Sequence, residues 1–177
     1  MSVGRVMGIR TDIQPHIEVH KFHPGAVIGA TVVALVLQAF LPVYFPRASW
    51  MELPLLVTLY FGLSRRNPSA GLLLGMVIGL LQDSLSHSPI GLYGIAKTIA
   101  GFAASSIGAR LDVEHPFSRF TLTFAFFHFH QVVLAVTKRV LLAQPEPFVN
   151  LSLLYASLVT AGLAVVLFPL LDRLRKR

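Results

Sequence analysis

The chain has 177 residues, of which 54% are hydrophobic and 13% charged, with a formal net charge of +7 and no cysteine. Charge at about half the 25% usual in soluble domains, with a mean hydropathy of +0.68, excludes an ordinary soluble domain, and the lack of thiols excludes disulfides, thiolate metal sites and a cysteine nucleophile. The basic residues lie between apolar blocks and not on one polar surface, so the positive charge reads as membrane topology and anionic lipid, not nucleic acid.

A hydrocarbon core about 30 Å thick takes about 20 apolar helical residues to cross. Six apolar blocks are present, near 25–43, 51–64, 68–86, 90–109, 117–137 and 149–171. They predict an all-α membrane protein, a bundle of about six transmembrane helices over 24–172. A cytoplasmic N-terminal arm at 1–23 precedes it and a basic cytoplasmic tail at 173–177 follows.

The arm carries His16, His20 and His23, spaced four and three. That spacing suits one helical face, but no carboxylate or cysteine at fitting spacing completes a metal site; a solvated arm lying on the membrane surface is expected. The first block is followed by Pro42–Trp50 and not by an A-x-A-like cleavage site, so it is expected to remain as a helix. The second block is short, which predicts a tilted helix, a thinned surrounding or a broken pair with the third. Ser64-Arg65-Arg66-Asn67 makes a tight connection, and Pro68 suits the first turn of the next helix. The remaining connections are punctuated by Pro42 and Pro46, by Pro89 and Gly91, by His115-Pro116 and by Pro145-Glu146-Pro147.

In the third block Gly71, Gly75, Gly79 and Asp83 recur every four residues and so share one slowly drifting face. In the fourth, Gly94, Gly101 and Gly108 recur every seven, with Ala104 between the last two and Lys97 one turn after Gly94. Small residues let helices approach closely and gain dispersion contact that lipid cannot supply. The two faces can meet each other or line one groove, as packing within the bundle or as a surface for a partner helix. Asp83 and Lys97 are ionisable groups inside apolar blocks and need a partner there. A structural ion pair between them is expected ahead of an ion pathway, with Glu52 a further member. In the fifth block His128 and Gln131 share a face with Thr121 and Lys138, while His130 points elsewhere. Two histidines two apart on a helix cannot ligate one ion, so interhelical hydrogen bonding is expected of His128 and Gln131. No nucleophile elbow, zincin motif, Walker loop or dinucleotide fingerprint is present. No catalytic residue, metal or cofactor is predicted.

With the N-terminus in the cytoplasm and six crossings, eleven basic residues fall inside and three outside (Arg47, Lys138 and Arg139), with Lys97 in a helix. The positive-inside rule favours that orientation.

The stretch Gly75-to-Asp83, then Ser-Leu-Ser-His-Ser-Pro89-Ile-Gly91-Leu92 and on to Gly101, resembles the rod shape-determining protein MreD family. Members carry a Gly-rich helix ending in aspartate, a short Ser/Gly/Pro turn and a Gly-containing helix. The specific match covers about thirty residues. The family often has glycine where this chain has His87, which leaves the turn geometry open. The resemblance implies a non-enzymatic subunit of the bacterial elongation machinery in the cytoplasmic (inner) membrane. It would bind MreC and work with MreB, RodA and a class B penicillin-binding protein in lateral peptidoglycan synthesis. It also implies a fold similar to the substrate-binding subunits of energy-coupling-factor transporters. A transporter subunit of that kind is the alternative function, and an ion-coupled carrier a third.

Overall fold

A computed structural model describes residues 22–45, 51–108, 110–111, 115–144 and 150–174. His16, His20, Pro46, Arg47, the Pro145-Glu146-Pro147 loop and the last three basic residues lie outside them. Six helices are present: α1 (Pro24–Tyr44), α2 (Leu53–Arg65), α3 (Pro68–Leu85), α4 (Leu92–Gly108), α5 (Pro116–Leu142) and α6 (Leu151–Asp172).

Local chemistry explains where they begin. Pro24, Pro68 and Pro116 each open a helix, where the missing N–H costs nothing and the fixed φ is already helical. Side chains of His23, Asn67, His115 and Asn150 accept from backbone N–H groups of the first turn, satisfying donors the helix cannot pair itself. His23 is thus occupied as a helix cap. Phe22 beside it is buried edge-on against the rings of Tyr60 and Phe61. Pro42, expected in a loop, sits in the last turn of α1. α5 runs five residues past its predicted end. Lys138 and Arg139 lie on that extension, where long stems carry charge outward along the helix.

Four helices, α1, α3, α5 and α6, are long and apolar enough to cross a membrane. The 13-residue α2 rises only about 20 Å. The reason it can be short is its place: Leu53 to Ser64 are buried without a break, and α2 touches each of the other five helices. An apolar helix wrapped by its own chain faces outward only through the break between α1 and α6, where Leu53 and Val57 line a groove, so it has little bilayer thickness to match. It is neither the broken half of a pair nor a device for thinning the surroundings.

Around α2 the other helices form an open ring in the order α1, α3, α4, α5, α6, and α1 and α6 do not touch. The core is α2's large side chains, Leu55, Leu56, Leu59 and Phe61, against Ile78, Phe127 and Phe168. Outer helices offer small residues inward, such as Ala100 and Ala104 of α4 and Ala161 and Ala164 of α6. Lipid is as apolar as leucine, so what holds such a bundle is close packing and internal hydrogen bonds.

Candidate functional site

The closest packing joins α3 and α4, an antiparallel hairpin. A Cβ added at Gly75 would overlap the carbonyl oxygen of Lys97, and one at Gly71 the carbonyl of Gly101 and the hydroxyl of Ser105. At Gly79 it would stand 2.6 Å from the Cα of Gly94, and Gly101 faces the backbone of Gly71. Backbone meets backbone along the whole hairpin. Gly108 is turned instead toward α2, where a Cβ would lie 2.7 Å from the Cα of Leu63, and Gly94 faces Leu80 and the Asp83 carboxylate. All six glycines are buried. The two glycine faces are used up within the chain, which leaves a partner helix no access to them.

The hairpin turn is organised by Asp83, which is 1% exposed. Its Oδ2 accepts from the N–H groups of Gly91 (2.9 Å) and Gly94 (3.1 Å), and its Oδ1 from that of Tyr93 (2.9 Å). These are donors at the start of α4, so the carboxylate at the end of one helix caps the next. It also sits where the dipole of α4 favours negative charge. Two residues bend the chain to allow this. Gly91 has φ +100, and His87 takes the left-handed conformation with φ 52. The Ser88 N–H donates to the carbonyl of Asp83 at 3.2 Å, closing the helix end as a Schellman turn does. His87 therefore adopts the left-handed geometry a glycine would favour.

Asp83 does not pair with Lys97, contrary to the sequence expectation. Lys97, wholly buried, donates from Nζ to Oε2 of Glu52 at 3.2 Å. Glu52 stands at the head of α2. The ammonium also lies 4.8 Å from the ring centre of Tyr93, a cation–π distance. Tyr93 in turn stacks on His130 at 6.2 Å. Asp83 is satisfied by three backbone donors pointing the other way along the turn, so Lys97 reaches across to α2. His130 is fully buried, while the half-buried His128 donates from Nδ1 to Phe124 O in its own helix at 3.0 Å. Against expectation, His130 faces the interior, and among the described residues the hydrogen bond of His128 stays within its own helix. Gln131 is half-buried. Neither ring nitrogen of His130 has a hydrogen-bond partner among the described residues.

A second polar cluster escaped the sequence reading. Asp172, the last residue of α6, accepts from Arg119 Nη2 at 2.7 Å and from the Tyr60 hydroxyl at 2.8 Å. It ties α2, α5 and α6 at the end of the bundle where α6 ends. Arg119 is 6% exposed. The only signal was that a basic residue stood inside the apolar fifth block.

Chemically these are fastenings. Each carboxylate or ammonium described above is held by a protein group, Asp83 by backbone N–H donors and the others by an opposite charge. Among the described residues no three His, Asp or Glu side chains gather as metal ligands. The family model described as rod shape-determining protein MreD matches residues 21–177, nearly the whole chain. No curated protein and no solved structure matches, so the expected likeness to energy-coupling-factor subunits gains no support.

Proposed function

We propose that this chain, which belongs to the rod shape-determining protein MreD family, acts as a non-enzymatic membrane subunit of the bacterial elongation complex. It binds MreC and works with MreB, RodA and a class B penicillin-binding protein in lateral peptidoglycan synthesis and cell shape. The observation that carries the reading is the family match from residue 21 to 177. The site chemistry supports the non-enzymatic part: Asp83, Lys97 and Asp172 are each held by structural partners. In this reading all six helices cross the inner membrane, α2 inside the ring of the others, and both termini are cytoplasmic. The distribution of basic residues supports that orientation.

Recovery of MreC with the tagged protein from its native membrane is expected, together with rod shape restored in cells lacking the endogenous protein. Normal expression with neither result overturns the proposal. A reporter active only in the periplasm should be silent when fused after Arg177 and active within 143–148; the opposite pattern refutes the orientation.

A further inference from the structure

We propose that the break in the helix ring between α1 and α6 is a binding site for an anionic phospholipid, with one acyl chain along α1 and the phosphate at Arg173. The break is a groove of about 560 Å³, floored by Leu53 and Val57 of α2 and walled by α1 and the end of α6. On the α1 side it is lined mainly by small residues, Ala26, Gly29, Ala30 and Ala34, whereas the outer face of α1 presents Ile28, Val32 and Val36. A Cβ added at Gly29 would meet no atom within 4 Å. Unlike the glycines of α3, this one packs against nothing in the chain.

Shape selects among occupants. From Ala26 to Leu37 the groove follows α1 for about 16 Å at 1.5 Å per residue. Half of a 30 Å hydrocarbon core, the reach of one leaflet's acyl chain, is about 15 Å.

Charge selects the headgroup. The groove is apolar except at the end holding Arg173. Arg173 is exposed, and no carboxylate pairs with it among the described residues. The carboxylate next to it in sequence, Asp172, is already held by Arg119 and Tyr60. An apolar slot with a cation at its membrane-surface end complements a chain attached to a phosphate, and basic residues there attract anionic lipid.

The test uses the full chain purified in mild detergent and titrated with phosphatidylglycerol or phosphatidylcholine of identical acyl chains, with bound lipid read by native mass spectrometry. The first phosphatidylglycerol should bind about fivefold more tightly than phosphatidylcholine, the effect of one basic residue near the surface. Arg173→Gln should abolish that preference and leave phosphatidylcholine binding unchanged. Gly29→Leu, which fills the groove from a helical position with free space, should weaken both. Equal binding of the two lipids, a preference that survives Arg173→Gln, or unchanged binding in Gly29→Leu overturns the assignment. So does a photo-crosslinker at Val33 that captures a polypeptide, whether a partner helix or a second copy, in place of lipid.

Discussion

Replacing Glu52 by leucine should damage the bundle more than replacing Lys97 by methionine, and combining the two should repair much of the loss. At the 3.2 Å separation of Nζ and Oε2, an effective dielectric of about 20 gives a gross attraction of about 5 kcal/mol. Desolvation of the two ions offsets several kcal/mol each, so the intact pair adds little net stability over an apolar pair of similar size. The single variants behave differently. Glu52→Leu leaves an ammonium at 0% exposure without its ion-pair partner, beside the Tyr93 ring, and should cost about 3–5 kcal/mol. Lys97→Met strands a carboxylate whose side chain keeps 11% exposure at the head of α2, and should cost less. The assay is reversible unfolding of the purified protein in mixed micelles, followed by loss of helical circular dichroism as the denaturing detergent fraction rises. A coupling energy of about 2 kcal/mol or more, with the double variant more stable than Glu52→Leu alone, is the expected result. A double variant no better than the worse single would refute the pairing.

Asp83→Asn should cost about 3 kcal/mol by loosening charge-assisted bonds to three buried donors, and its coupling to Lys97→Met should be smaller than that of Glu52→Leu, because Asp83 touches Lys97 only through the field and through Tyr93; coupling as large as that of Glu52 in the same assay would restore the Asp83–Lys97 pair. Gly75→Ala should destabilise by about 1–3 kcal/mol, because a methyl group against a backbone carbonyl has no rotamer to escape into. Gly162→Ala, where a Cβ meets nothing within 4 Å, should instead gain up to about 1 kcal/mol of helix propensity, so the two melting temperatures should move in opposite directions. His87→Gly should stabilise by about 1 kcal/mol, the cost of a left-handed non-glycine residue; a lowered melting temperature would mean that the imidazole itself holds the turn.

Helix number and the start of α3 were legible because apolar block length and proline position are local properties, and Pro68 acts where it stands; Pro116, read as part of a connection, opens α5 in the same way. The enclosure of α2 was not legible. A short apolar block looks the same whether it tilts, thins the bilayer or is wrapped by its own chain, and the wrapping residues are supplied from both sides in sequence. The glycine spacing in α3 and α4 limited the choice to mutual packing or a groove, and only three-dimensional register put Gly75 opposite the Lys97 carbonyl. The partner of Asp83 depended on His87 taking a conformation uncommon for a residue with a side chain. Glu52 lies 45 residues from Lys97, outside the hairpin whose spacing suggested the other pairing. His128 and His130 stand in a helix aromatic on several sides, so no amphipathic stripe marked which one faces inward.

The enclosure of α2 also bears on how the protein is made. Chains emerge from the N-terminus, so α2 leaves the ribosome before the four helices that later close around it. Its 13 residues are too few to hold a place in a bilayer unaided. The order of synthesis and the order of burial therefore differ, and α2 takes its final position only once α4 has arrived. A nascent chain truncated after Leu85 should leave the head of α2 open to proteolysis, whereas one extended past Gly108 should protect it. The ion pair that fastens the finished bundle thus distinguishes it from an unfinished one.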